Sequence, residues 1–83
     1  MKVNLRYFAS IREALGVEAE PVEVVGSDVA ALLAQLRARG GVYAQVLAEG
    51  RPVRAAVNQT MARLDSPLSE GAEVGLFPPV TGG

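Results

Sequence analysis

Eighty-three residues, 49% of them hydrophobic and only 20% charged, make one small domain with enough apolar side chains to build a core. A net charge of −1 and a pI near 5.3, without a basic run, argue against a nucleic-acid or anionic-membrane partner, since both need a positive patch. The chain has no Cys and no His, which removes disulfides, Cys/His zinc sites, thiolate nucleophiles and the usual general base, so no metal site is expected.

No charged-then-apolar leader opens the sequence, and no apolar run approaches transmembrane length. The expected location is the cytoplasm. In that setting the sequon-like Asn58-Gln59-Thr60 is a coincidence, because glycosylation needs a secreted context. With no Trp and few other aromatics, Val, Leu and Ala must carry the packing.

From Met1 to Ala9 the chain alternates. Val3, Leu5 and Tyr7 point one way and Lys2, Asn4 and Arg6 the other, the period of a strand with one buried face. Phe8 breaks the pattern by falling on the polar face, either covered by its own chain or open to a partner. Ser10-Ile11-Arg12-Glu13 reads as a capping box, with Ser10 as N-cap of a short helix that Gly16 stops. Val17 to Glu20 is expected as loop, and Pro21 to Val25 as a second strand beginning at its proline. Glu13, Glu18, Glu20 and Glu23 read as solvated surface charge.

Gly26-Ser27-Asp28 leads into the main helix, where Val29, Leu32, Leu33 and Leu36 form a stripe at i, i+3, i+4 and i+7. Asp28 suits its first turn and Arg37 and Arg39 its last, and Gly40-Gly41 ends it. Val42 to Ala48 is a second helical turn or irregular cover. Pro52 to Asn58 gives a third strand, Asn58-Gln59-Thr60 a turn, and Met61 to Leu64 a short return. Asp65-Ser66-Pro67 is another turn before the final strand, Glu73 to Phe77. This order predicts an α+β domain of the β-grasp (ubiquitin-like) type, a mixed sheet of four to five strands crossed by one main helix, with the last strand near the first. Residues 1–77 form the domain and residues 78–83 a tail.

The tail, Pro78-Pro79-Val80-Thr81-Gly82-Gly83, begins stiff and ends without side chains. Fully extended, it reaches roughly 20 Å. Such a thread suits insertion into another protein's active site, with the terminal carboxylate as the chemical group.

Three stretches together resemble the small subunit of molybdopterin synthase, a ubiquitin-like sulfur carrier. They are Tyr7-Phe8-Ala9 with Arg12-Glu13 and Gly16, then Ala55 to Thr60, then Pro67-Leu68 through Gly71 and Glu73-Val74 to the end. Phe77-Pro78-Pro79-Val80-Thr81-Gly82-Gly83 is the most specific, and residues 17–54 match mainly by pattern. Ala72 stands where that family commonly has Asp, and Gly75-Leu76 where it has a small residue and an aromatic.

The resemblance implies a sulfur carrier in molybdenum cofactor biosynthesis. An E1-like adenylyltransferase uses ATP to adenylate Gly83, and a sulfur donor such as a cysteine desulfurase then converts it to a thiocarboxylate. The tail enters the synthase large subunit, in an expected heterotetramer, and sulfur passes to a cyclic pyranopterin precursor. The chain itself binds no cofactor and has no turnover alone. Gly83 is the reactive residue; Phe8, Phe77, Pro78, Pro79, Val80, Thr81 and Gly82 contact partners. Arg12 pairs with a partner's acid or is plain surface. The alternatives are a sulfur carrier for thiamine or tRNA thiolation, a ubiquitin-like protein modifier, and a binding module without terminal chemistry.

Overall fold

In the computed structural model, which describes residues 1–79, the opening alternation forms strand β1 (Lys2–Tyr7). Its inward set, Val3, Leu5 and Tyr7, is buried to within 1% of full enclosure. The chain then turns through Ala9, which holds a left-handed φ of 51°, into helix α1 (Ala9–Leu15). The expected capping box does not form. Phe8 is the N-cap, its side chain caps nothing, and its carbonyl accepts from the Ile11 and Arg12 N–H groups at 3.1 and 3.2 Å. The sharp turn at Ala9 starts the helix early and places Ser10 inside the first turn. Gly16 ends α1 as expected, with φ 74° and its N–H bonded to the Arg12 carbonyl at 2.9 Å.

Strand β2 (Ala19–Glu23) begins in the segment read as loop and pairs antiparallel with β1 at one edge of the sheet. Pro21 therefore lies inside a strand rather than at its start. The strand tolerates it because ladder bonds fall on alternate residues, such as Tyr7 N–H to Glu18 O and Val24 N–H to Met1 O. That phase turns the Pro21 nitrogen toward the open edge.

Helix α2 (Val29–Arg37) takes Asp28 as N-cap, the Asp28 Oδ1 accepting from Ala31 N–H at 2.8 Å. The preceding N–H groups, of Val29 and Ala30, donate to the Ser66 and Leu64 carbonyls at 3.1 and 2.9 Å. The return segment thus satisfies the helix start that would otherwise be left unpaired. A side chain at Gly26 would collide with the Ala31 methyl, which fixes glycine at the approach to this helix. The helix ends at Arg37, so Arg39 stands beyond it. Gly40 and Gly41, with φ 76° and 56°, reverse the chain into α3 (Gly41–Val46), which settles the 42–48 segment as helix for most of its length.

Strands β3 (Arg54–Val57) and β4 (Thr60–Ala62) form a hairpin whose two turn residues, Asn58 and Gln59, both have positive φ. That is the turn whose twist suits a two-residue hairpin. The last strand, β5 (Glu73–Phe77), lies in the centre, parallel to β1 and antiparallel to β3, giving the order β2-β1-β5-β3-β4. The result is the expected β-grasp. Val29, Leu32, Leu33 and Leu36 of α2 share one core with Val3, Leu5, Tyr7, Val22, Val74 and Leu76 of the sheet. Among the described residues no helix is long and apolar enough to cross a membrane.

Candidate functional site

Because β5 alternates, Val74 and Leu76 enter the core while Gly75 and Phe77 lie on the opposite, open face of the sheet. Register then sets Arg6, Gly75, Ala56 and Met61 in one row across that face, and Phe77 beside Arg54 in the next. Phe8 joins this surface, its N–H bonded to the Leu76 carbonyl at 3.1 Å. Its ring meets Phe77 edge to face, with centroids 6.4 Å apart and planes at 81°.

Gly75 makes that arrangement possible. A Cβ there would stand 3.1 Å from Phe8 Cε2, closer than packed carbons ordinarily come. The Arg6 guanidinium carbon lies 5.9 Å from the Phe8 ring centre. Phe8 is nevertheless 42% exposed. Gly75, Phe77 and Arg6 cover one flank of the ring, and the rest is exposed. Met61, 59% exposed, extends the apolar surface and was missed in the sequence. The signal was its phase: across a two-residue turn it pairs with outward-facing Ala56.

The chain leaves this face through Pro78 and Pro79, both half-buried. Pro78 borders a groove of about 330 Å³ between α1 and the 51–53 segment, together with Ser10, Ile11, Ala14 and Arg51. The structure thus brings Phe8, Phe77 and the root of the tail together. Arg12 stands exposed on α1, one turn from Phe8, and among the described residues its side chain enters no hydrogen bond or ion pair. The expected contacts of Val80, Thr81 and Gly82, and the reactive Gly83, lie outside the described residues.

A second cluster corrects the reading of Glu20 as solvated charge. Its Oε2 accepts from the Tyr7 and Tyr43 hydroxyls, each at 2.8 Å, and Arg39 Nη1 donates to Oε1 and Oε2 at 2.9 and 3.0 Å. The Arg39 guanidinium also lies 4.8 Å from the Tyr43 ring centre. Burial pushes the Glu20 carboxyl up, but the donors from Tyr7, Tyr43 and Arg39 outweigh it and hold it below its usual value. Burial, and then the bond to Glu20, push the Tyr7 hydroxyl far up. Every member has a partner, and the cluster ties β1, β2, the 38–40 link and α3 together. It is a structural clasp.

A β-grasp domain with an open aromatic face and a chain leaving its central strand beside that face has the build of the ubiquitin-like proteins. The chain belongs to the ThiS family, whose model matches residues 5–83. Over 81 residues it is 41% identical to the molybdopterin synthase sulfur carrier subunit of Escherichia coli (strain K12), covering 98% of this chain and 99% of that protein. The protein of the same name from Mycobacterium tuberculosis is 40% identical over 85 aligned residues, covering 100% of this chain and 99% of that one. Among solved structures, a chain in the complex of subunits 1 and 2 of the molybdopterin-converting factor from Helicobacter pylori superposes with a TM-score of 0.67 at 30% identity, covering all of both chains.

Proposed function

We propose that this chain is a sulfur carrier in molybdenum cofactor biosynthesis, working as the small subunit of molybdopterin synthase. The observation that carries this reading is the Phe77-to-Gly83 run on a domain of this family, which leaves the central strand beside an open aromatic face. An adenylating partner activates the Gly83 carboxylate with ATP, expelling pyrophosphate. The acyl-adenylate has a good leaving group where the carboxylate had none. The outer sulfur of a donor persulfide, such as a cysteine desulfurase system supplies, displaces AMP to give an acyl disulfide. A thiol of the donor system then cleaves that S–S bond, becoming part of a new disulfide and leaving a thiocarboxylate on Gly83. That group is a reactive sulfur source in a chain without cysteine. In the large subunit the sulfur passes to the pyranopterin precursor, and Gly83 returns to a carboxylate for another round.

The division of labour follows from the residues. The domain has no His or Cys, and its two perturbed carboxylates are engaged, Glu20 in the clasp and Glu23 with the Met1 ammonium. The bases, ATP contacts and substrate pocket therefore belong to the partners. Glycine at the last two places leaves the acyl carbon unhindered, and two prolines reduce the freedom lost when the tail is held in a channel.

The test is complementation of a strain lacking its own small subunit. The full chain restores molybdenum-cofactor synthesis, and a chain without Gly83 does not, although it folds. Full rescue by the truncated chain would sink the carrier reading.

A further inference from the structure

Each ring of the aromatic pair has its own arginine. Arg6 lies over Phe8, and Arg54 is the cross-strand neighbour of Phe77, where opposed side chains stand about 5 Å apart. The two arginines come from β1 and β3, on either side of β5, so they bracket the aromatic pair on the same face. Among the described residues neither takes part in an ion pair, whereas Arg37, Arg39 and Arg63 each do. The acid that β5 presents on this face, Glu73, stands opposite Asn4, one row away from Arg6, and pairs with neither. Among the described residues, a chain of net charge −1 therefore offers an apolar surface rimmed by two guanidinium groups outside any ion pair.

We propose that Arg6 and Arg54 determine partner specificity, by making this face complementary to an apolar pocket rimmed with carboxylates on the synthase large subunit. The inference rests on the carrier reading above and adds the chemistry of the surface that must meet it. Burying Phe8 and Phe77 supplies affinity to any apolar pocket and discriminates little between pockets. Charges at the rim, still partly solvated, act on the encounter rate and penalise a like-charged rim. Guanidinium suits this place because it is weakly hydrated and lies flat on a ring while keeping donors free for a carboxylate. If the two arginines only shielded the rings from water, the loss on replacing them with glutamine, uncharged and two atoms shorter, would be the same at low and at high salt.

The test measures binding of the full chain to the synthase large subunit of the same organism, at ionic strengths of about 0.05 M and about 0.5 M, which change screening severalfold. The native chain binds less tightly at high salt. Arg6→Gln/Arg54→Gln binds about tenfold more weakly at low salt, chiefly through a slower association rate, and has a flattened salt dependence. Arg6→Glu/Arg54→Glu is weaker still, and Phe8→Ala weakens binding at both salts. Unchanged thermal midpoints for the exposed arginine variants exclude a folding defect. Native affinity and salt dependence in the Gln variant, with Phe8→Ala weakened, overturn the arginine role and leave the docking face standing. Native affinity in all the variants overturns the docking face as well.

Discussion

Replacing Glu20 with alanine tests the physical reasoning where it departs most from the sequence reading. Tyr7 is 1% exposed, and its hydroxyl has Glu20 as its hydrogen-bond partner. Losing that acceptor leaves a buried donor unsatisfied, at a cost of about 1–3 kcal/mol. The half-exposed Arg39 contact adds only about 0.2–1 kcal/mol. The sum, about 1–4 kcal/mol and centred on about 2.5, is a large part of the roughly 4–12 kcal/mol that a domain of this size holds. Thermal unfolding followed by circular dichroism should show a midpoint lowered by roughly 10–20 °C.

A double-mutant cycle separates the cause. Once Tyr7→Phe has removed the hydroxyl, Glu20→Ala should cost about 1–2 kcal/mol less than it does alone. The pH dependence follows from the directions of the shifts. The folded Glu20 titrates below the unfolded value of 4.5, so its contribution is complete above that value and is lost as pH falls through the folded one. Tyr7 in the fold titrates above its ordinary 10.0, so its contribution is complete below pH 10.0 and is lost as pH rises beyond it. A loss below about 0.5 kcal/mol, or strict additivity in the cycle, would refute the clasp.

Phe8→Ala and Phe77→Ala should each weaken binding to the large subunit by about tenfold, the scale of a truncated aromatic anchor, as measured by titration calorimetry. Unchanged affinity for both returns the pair to an ordinary structural role. Gly16→Ala should cost about 1 kcal/mol in chemical denaturation, because the space beside Gly16 is open and only its φ of 74° resists a side chain. Asp28→Ala should cost about 1 kcal/mol through the lost cap on Ala31, checked in the same way.

What was legible in the sequence was what local period encodes. The strand phase of Val3, Leu5 and Tyr7 and the stripe from Val29 to Leu36 describe the buried faces of β1 and α2, and Gly16 and Asn58 mark real turns. The Ser10 cap was misread because a polar residue before an apolar run is a local signal, while the turn at Ala9 is imposed by Phe8 continuing alongside β5. Pro21 looked like a strand boundary because sequence does not say which side of a strand is an open edge. Glu20 looked solvated because its partners lie 13, 19 and 23 residues away, brought near only by the fold. At the site, Phe8 and Phe77 stood out as aromatics out of phase or beside the exit. Gly75, Met61, Arg6 and Arg54 gain their places from strand register, which no short motif records.

The central claim is chemical and concerns a single atom. The chain should be produced together with its adenylating partner and a sulfur donor, and its intact mass measured. The account predicts a gain equal to one oxygen replaced by one sulfur, confined to the C-terminal fragment and absent when Gly83 is deleted. An unmodified mass with an active adenylating partner and donor present, or a gain that survives deletion of Gly83, would contradict it.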